Sequence, residues 1–70
     1  MLDVILKFAA YSRKAGLRIS TAEVLDCSQQ IEYIDVGDES QFKDLLRANF
    51  AKSKREQTKF DHIYPLFSIN

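Results

Sequence analysis

Very little in this sequence can staple a fold together. It holds one cysteine, one proline, two glycines and no tryptophan in 70 residues. The lone thiol, Cys27, has no second cysteine to bridge to. With the single histidine, His62, it cannot complete a four-ligand metal site even with carboxylates nearby. Two glycines, Gly16 and Gly37, are too few for a glycine-rich phosphate loop. No run approaches the roughly 18 apolar residues of a membrane span. Asp3 and Lys7 interrupt what would be the apolar region of a secretory signal. His62 lies beside Asp61, but neighbours on a helix point apart, and no serine is placed for attack. Asp35 and Asp38 fall in a loop with no apolar pocket to split their pKa values. The expectation is a non-enzyme with no catalytic residue, no cofactor and no metal. One unpaired cysteine fits a reducing compartment, so a cytoplasmic location is expected.

Charge of one sign is also lacking: ten bases balance ten acids. A zero sum argues against a strong sequence-independent hold on nucleic acid. The distribution is uneven, however. Ser20 to Asp44 carries seven acids and one base, whereas Leu45 to Lys59 carries Arg47, Lys52, Lys54, Arg55 and Lys59 against Glu56 alone. A dipolar domain follows, read either as two solvated faces or as a docking surface for a charged partner. A chain this short buries only about 60% of the surface its unfolded form exposes. A core of this size supplies about 3–5 kcal/mol, so the helices must pack well or a partner must complete the fold.

What is present is helical patterning with clear punctuation. The stretch Gly16-Leu17-Arg18-Ile19-Ser20-Thr21-Ala22-Glu23 stops one helix and starts another. Gly16 stands where a left-handed C-cap is wanted, and Ser20 with Glu23 has capping-box spacing. Leu17 and Ile19 are expected to point inward. The first helix spans about Leu2 to Ala15, with Leu2, Ile5, Phe8, Ala9 and Ser12 on one stripe, widened by Leu6. Val4 and Tyr11 lie off that stripe, so this helix is either central to a bundle or offers a second face to a partner. Thr21 to about Glu32 makes the second, with Val24, Cys27, Ser28 and Ile31 inward and Leu25 beside them. Cys27 is then a small buried hydrophobe. Ile34 and Val36 are expected to tuck under the bundle. Asp38 caps the third helix, about Glu39 to Lys52, with Gln41 at the capping-box position. Phe42, Leu45, Leu46, Asn49 and Phe50 form its stripe, and Asn49 there needs a hydrogen-bond partner. Ser53 and Glu56 start the fourth helix, striped by Phe60, Ile63, Tyr64 and Phe67. Pro65 is expected to end or kink it near Tyr64. The fold class expected is an all-α bundle of four short helices, one domain over residues 1–67. Residues 68–70 are read as a frayed end or the start of a linker. Phe42, Phe50, Phe60 and Phe67 are expected to supply much of the core.

Two runs also carry a resemblance. "SRKAGLRISTAEVLD" is similar to the pattern "LRxAGLxVSxAExLD". "YIDVGDESQFKDLLRANFAKSKREQTKFDHIYPLF" is similar to "lvDlgdrexfxxaLRaxLvksrexxxxFDxxFxxfF". Gly16, Ser20, Glu23, Leu25, Asp26, Arg47, Phe60 and Asp61 recur in order over roughly Phe8 to Phe67. This resembles the N-terminal helical region of CoxE-like proteins that contain a von Willebrand factor type A domain. The resemblance implies a non-enzymatic adaptor region, followed in the family by an A domain with a metal-ion-dependent adhesion site. It also implies work with a MoxR-type AAA+ ATPase in maturing or activating a target, including metal-centre assembly in carbon monoxide dehydrogenase. The 70 residues hold no A domain. Asp26-Cys27-Ser28-Gln29-Gln30 matches only the first half of the adhesion signature Asp-x-Ser-x-Ser, and Pro65 stands where the family stays helical. A fragment, a truncated form or a stand-alone domain is expected.

Arg13, Arg18, Arg47, Lys54 and Arg55 are the expected polar contacts to a protein partner, either the ATPase or an A domain of the same protein. Arg47 and Asp61 are equally well placed to pair within the bundle. The alternative function is a small nucleic-acid binder using the basic segment 47–59. A helix-turn-helix made of the second and third helices is disfavoured, because the acidic loop between them would face phosphates.

Overall fold

Punctuation in the sequence becomes four helices in the structure, a computed structural model that describes residues 2–68. They are α1 (Leu2–Lys14), α2 (Thr21–Gln30), α3 (Glu39–Phe50) and α4 (Lys54–Ser68), with a single 3-10 turn at Ile31–Tyr33 and no strand among the described residues. In ring order α1 packs on α2, α2 on α3, α3 on α4 and α4 back on α1. This is the all-α four-helix bundle expected. Ile69 and Asn70, part of the stretch read as a frayed end or linker, lie outside the described residues; Ser68 is still in α4.

Each junction is closed by local hydrogen bonds. At the end of α1 the Leu17 N–H donates to the Ser12 carbonyl at 2.9 Å and the Gly16 N–H to the Arg13 carbonyl at 3.2 Å. That pair of bonds is a Schellman motif, and Gly16 has the positive φ of 107° that it needs. Leu17 and Ile19 are buried, as expected. The Glu23 N–H donates to Ser20 Oγ at 3.1 Å and the Ser20 N–H to Glu23 Oε1 at 2.8 Å, a complete capping box. Ser53 and Glu56 repeat it at 3.1 and 3.2 Å. The third start differs from expectation. Asp38 Oδ1 accepts from the Ser40 and Gln41 N–H groups, but the Gln41 side-chain Oε1 accepts from the Asp35 N–H. The turn that folds Asp38 back on Asp35 brings that N–H within reach first.

The core holds Ile5, Phe8, Ala9, Leu17, Ile19, Val24, Cys27, Ile31, Phe42, Leu46, Phe50, Ala51, Phe60, Ile63 and Tyr64, with Val4, Ile34, Leu45 and Phe67 packed against it. Phe8 sits among four rings, with centroids at 6.1 Å (Phe50), 5.5 Å (Phe60), 6.0 Å (Tyr64) and 5.1 Å (Phe67). Asn49 is satisfied, its Nδ2 donating to Gln30 Oε1 at 2.9 Å and to the Leu45 carbonyl at 3.0 Å.

Several side chains expected inside lie outside. Leu6 is 50% exposed and Leu25 54%. Each helix touches its two neighbours through one stripe, and these leucines sit on its shoulder. Val36 is exposed because the Asp35–Asp38 turn, held by Gly37 N–H to Asp35 Oδ1 at 2.9 Å, lifts it off the bundle. Pro65 does not end α4, which runs on to Ser68. Proline removes the bond to the Asp61 carbonyl, but Asp61 is on the exposed side, open to solvent. Phe67 holds the last turn against Phe8 at 5.1 Å and Tyr11 at 5.9 Å.

Gly16→Ala tests the hinge. A Cβ would meet only the flexible end of Lys59 at 3.1 Å, so the cost comes from the φ of 107°. The expected loss is about 1–2 kcal/mol in urea unfolding, and an unchanged midpoint contradicts it.

Candidate functional site

The five arginines and lysines picked from the sequence do not form one cluster. Arg18 follows the α1 cap and Arg55 lies in the first turn of α4. The fold brings them together along one groove with Gly16, Ser53, Glu56 and Lys59. Arg18 also borders a neighbouring groove with Arg13, Ile19, Ala22, Glu23 and Lys52. Lys54 is exposed at the start of α4 and Arg47 stands apart on α3.

Arg47 is engaged within the bundle. Its Nε and Nη2 donate to the two carboxylate oxygens of Asp61 at 2.9 and 3.0 Å, a forked pair tying α3 to α4. The hydrogen bond from Arg47 holds the Asp61 carboxyl below its ordinary value of 3.8. Arg13 is half-committed, its Nε donating to the Ile19 carbonyl at 2.8 Å across the hinge. The Arg18 and Arg55 side chains form no ion pair or hydrogen bond among the described residues.

The acids near the grooves are largely occupied. Glu56 Oε1 accepts from both the Ser53 and Lys52 N–H groups at 3.2 Å. Glu23 caps α2 and pairs with Lys52 at 3.2 Å. Desolvation pushes the Glu23 carboxyl up, but the Ser20 N–H and Lys52 outweigh it and hold it below 4.5. Lys59 Nζ makes a long 3.4 Å bond to the Gly16 carbonyl. Lys59 belongs to this groove and was missed among the picked residues, although its spacing of four from Arg55 on one helix is a readable signal.

Other reactive types are placed for structure. Cys27 is buried, and desolvation pushes its thiol up to about 11, far from a reactive thiolate. Burial, followed by the bond it donates to Glu39 Oε1 at 2.9 Å, raises the Tyr64 hydroxyl. His62 is exposed. The Asp26–Gln30 half-signature is helical, and Ser28 Oγ is turned back to donate to the Leu25 carbonyl at 2.7 Å. No group of three or more metal-ligating side chains occurs among the described residues. No helix among them is long and apolar enough to cross a membrane.

The family model for the CoxE N-terminal helical bundle domain matches residues 5–67. The chain belongs to that family. No curated protein and no solved structure matches it. Within this CoxE-type bundle the matched region takes in α2, α3, the caps and the Arg47–Asp61 pair, and all but the first three residues of α1 and the last residue of α4.

The carboxylates give an acid-side prediction for the CoxE-type bundle. Both Asp61 and Glu23 are held below their ordinary values, so each stabilises the fold above that value and ceases to as pH falls through its folded pKa. Thermal unfolding between about pH 6 and about pH 2 should show stability falling. Asp61→Asn should be less stable at the upper end and converge on the parent at the lower end. A constant gap between the two contradicts the assignment.

Proposed function

We propose that this CoxE-type bundle is a non-catalytic, cytoplasmic protein-interaction module. It acts with a MoxR-type AAA+ ATPase, or with a von Willebrand factor type A domain of its own protein, in maturing or activating a target such as a metalloenzyme complex. The observation that carries the reading is the family match over residues 5–67. The surface supports it. Leu2, Leu6, Tyr11, Leu25 and Leu66 are large apolar side chains left exposed on a domain this small. Leu2 and Leu6 are one turn apart on the same shoulder of α1, and Arg13 shares that shoulder seven residues after Leu6. A shoulder of apolar residues with a cation at its end suits a protein partner more than a polyanion.

The nucleic-acid reading of segment 47–59 is weaker. Arg47 is paired with Asp61 and Lys52 with Glu23, so two of its five bases are already neutralised. Counterion release needs free cations along a continuous stripe.

Gel filtration of the purified chain with the MoxR-type ATPase of the same genome, with and without ATP, tests the reading. Co-elution in at least one nucleotide state is expected. Separate elution in both, with the chain helical by circular dichroism, overturns it.

A further inference from the structure

The start of α4 follows the rule of helix electrostatics at Glu56 and departs from it at two neighbouring bases. The first turn of a helix carries the positive end of the dipole and favours acids. Here it carries Lys54 and Arg55, and its one acid, Glu56, is turned back onto the Ser53 and Lys52 N–H groups. Arg18 arrives from the α1–α2 link and Lys59 from the next turn of α4, so three cations line the groove against one acid, Glu56, whose Oε1 is taken up by backbone N–H groups. Among the described residues no acid forms an ion pair with Arg18 or Arg55. Like charges held together in this way raise the energy of the free domain, and an anion seated between them lowers it.

We propose that the groove lined by Arg18, Arg55 and Lys59 docks an acidic, extended segment of a protein partner. The proposal deepens the interaction-module reading and rests on it. Spacing and boundary both select a peptide. Arg55 and Lys59 are four apart on one helix face, which sets their Cβ atoms about 5–6 Å apart. Alternate side chains of an extended strand repeat at roughly 6.5–7 Å, so two carboxylates at positions i and i+2 reach both, with Arg18 free to fork onto one of them. Lys59 keeps ammonium donors to spare beyond its 3.4 Å bond to Gly16. Arg18 also borders the second groove, where Glu23 and Asp26 mix with Arg13 and Lys52 beside Ile19 and Ala22. A uniformly charged phosphate backbone gains little from that mixed acidic, basic and apolar lining. A peptide that changes from acidic to apolar or basic residues fits across both.

The test is a 1H–15N NMR titration of the chain with the peptide Glu-Ser-Glu-Ser-Glu, its Gln-for-Glu analogue, and an oligothymidylate of equal formal charge. The acidic peptide should shift the amides of Gly16, Arg18, Ser53, Arg55 and Lys59, and the Gln analogue should not. Arg18→Gln with Arg55→Gln should weaken binding about tenfold, as expected from removing two exposed charge contacts. Lys7→Gln with Lys43→Gln removes the same charge away from the groove and should change it by less than about twofold. Absence of groove shifts, equal weakening by the two double variants, or tighter binding of the oligothymidylate each overturns the proposal. No ATPase is present in the titration, so this proposal and the ATPase reading fail separately.

Discussion

Phe8 holds contacts on which the other parts of the bundle depend. A helix of 13 residues is marginal in water by itself and is formed by what its apolar face packs against. For α1 that face centres on Phe8, whose ring meets Phe50 from α3 and Phe60, Tyr64 and Phe67 from α4. Aromatic pairs of this kind are worth about 0.5–1.5 kcal/mol each beyond the area they bury. In a domain whose core yields about 3–5 kcal/mol, one residue that joins three helices carries a large share of the whole. The same contacts explain why α4 tolerates Pro65: the turn beyond the proline is held by Phe67 against Phe8 and Tyr11.

With the interior fixed by that cluster, the helix ends decide what the surface presents. Gly16 turns the chain sharply enough for Leu17 and Ile19 to drop into the core while Arg18, between them, stays outside. Ser53 starts α4 immediately across from that turn, which sets Arg55 and Lys59 opposite Arg18. Capping and docking are therefore one piece of geometry here. Glu56 is taken up by backbone N–H groups and Glu23 by the Ser20 N–H and Lys52, which leaves the Arg18 and Arg55 side chains without an ion pair among the described residues.

What was legible in the sequence was what is local. The Gly16 cap and the boxes at Ser20–Glu23 and Ser53–Glu56 depend on residues within one turn, so spacing alone reveals them. The need of Asn49 for a partner was readable from its stripe, and the match of Arg47 with Asp61 was one of two open readings. The exposure of Leu6, Leu25 and Val36 was not readable, because it depends on how wide a stripe each neighbour covers. Pro65 misled for a related reason: its cost is local, but the rings that offset it come from α1. The meeting of Arg18 with Arg55 and Lys59 needed the closed ring of helices, since nothing near either segment marks the other.

Phe8 ties α1 to α3 and α4, and the domain stands on that tie. Urea unfolding of Phe8→Ala, followed by far-ultraviolet circular dichroism, tests it most directly. Truncating a buried phenylalanine costs about 3–5 kcal/mol, as much as a core of this size yields. The cooperative transition should be lost, with most of the helical signal gone before urea is added. A sharp transition with a midpoint close to that of the parent chain would contradict it.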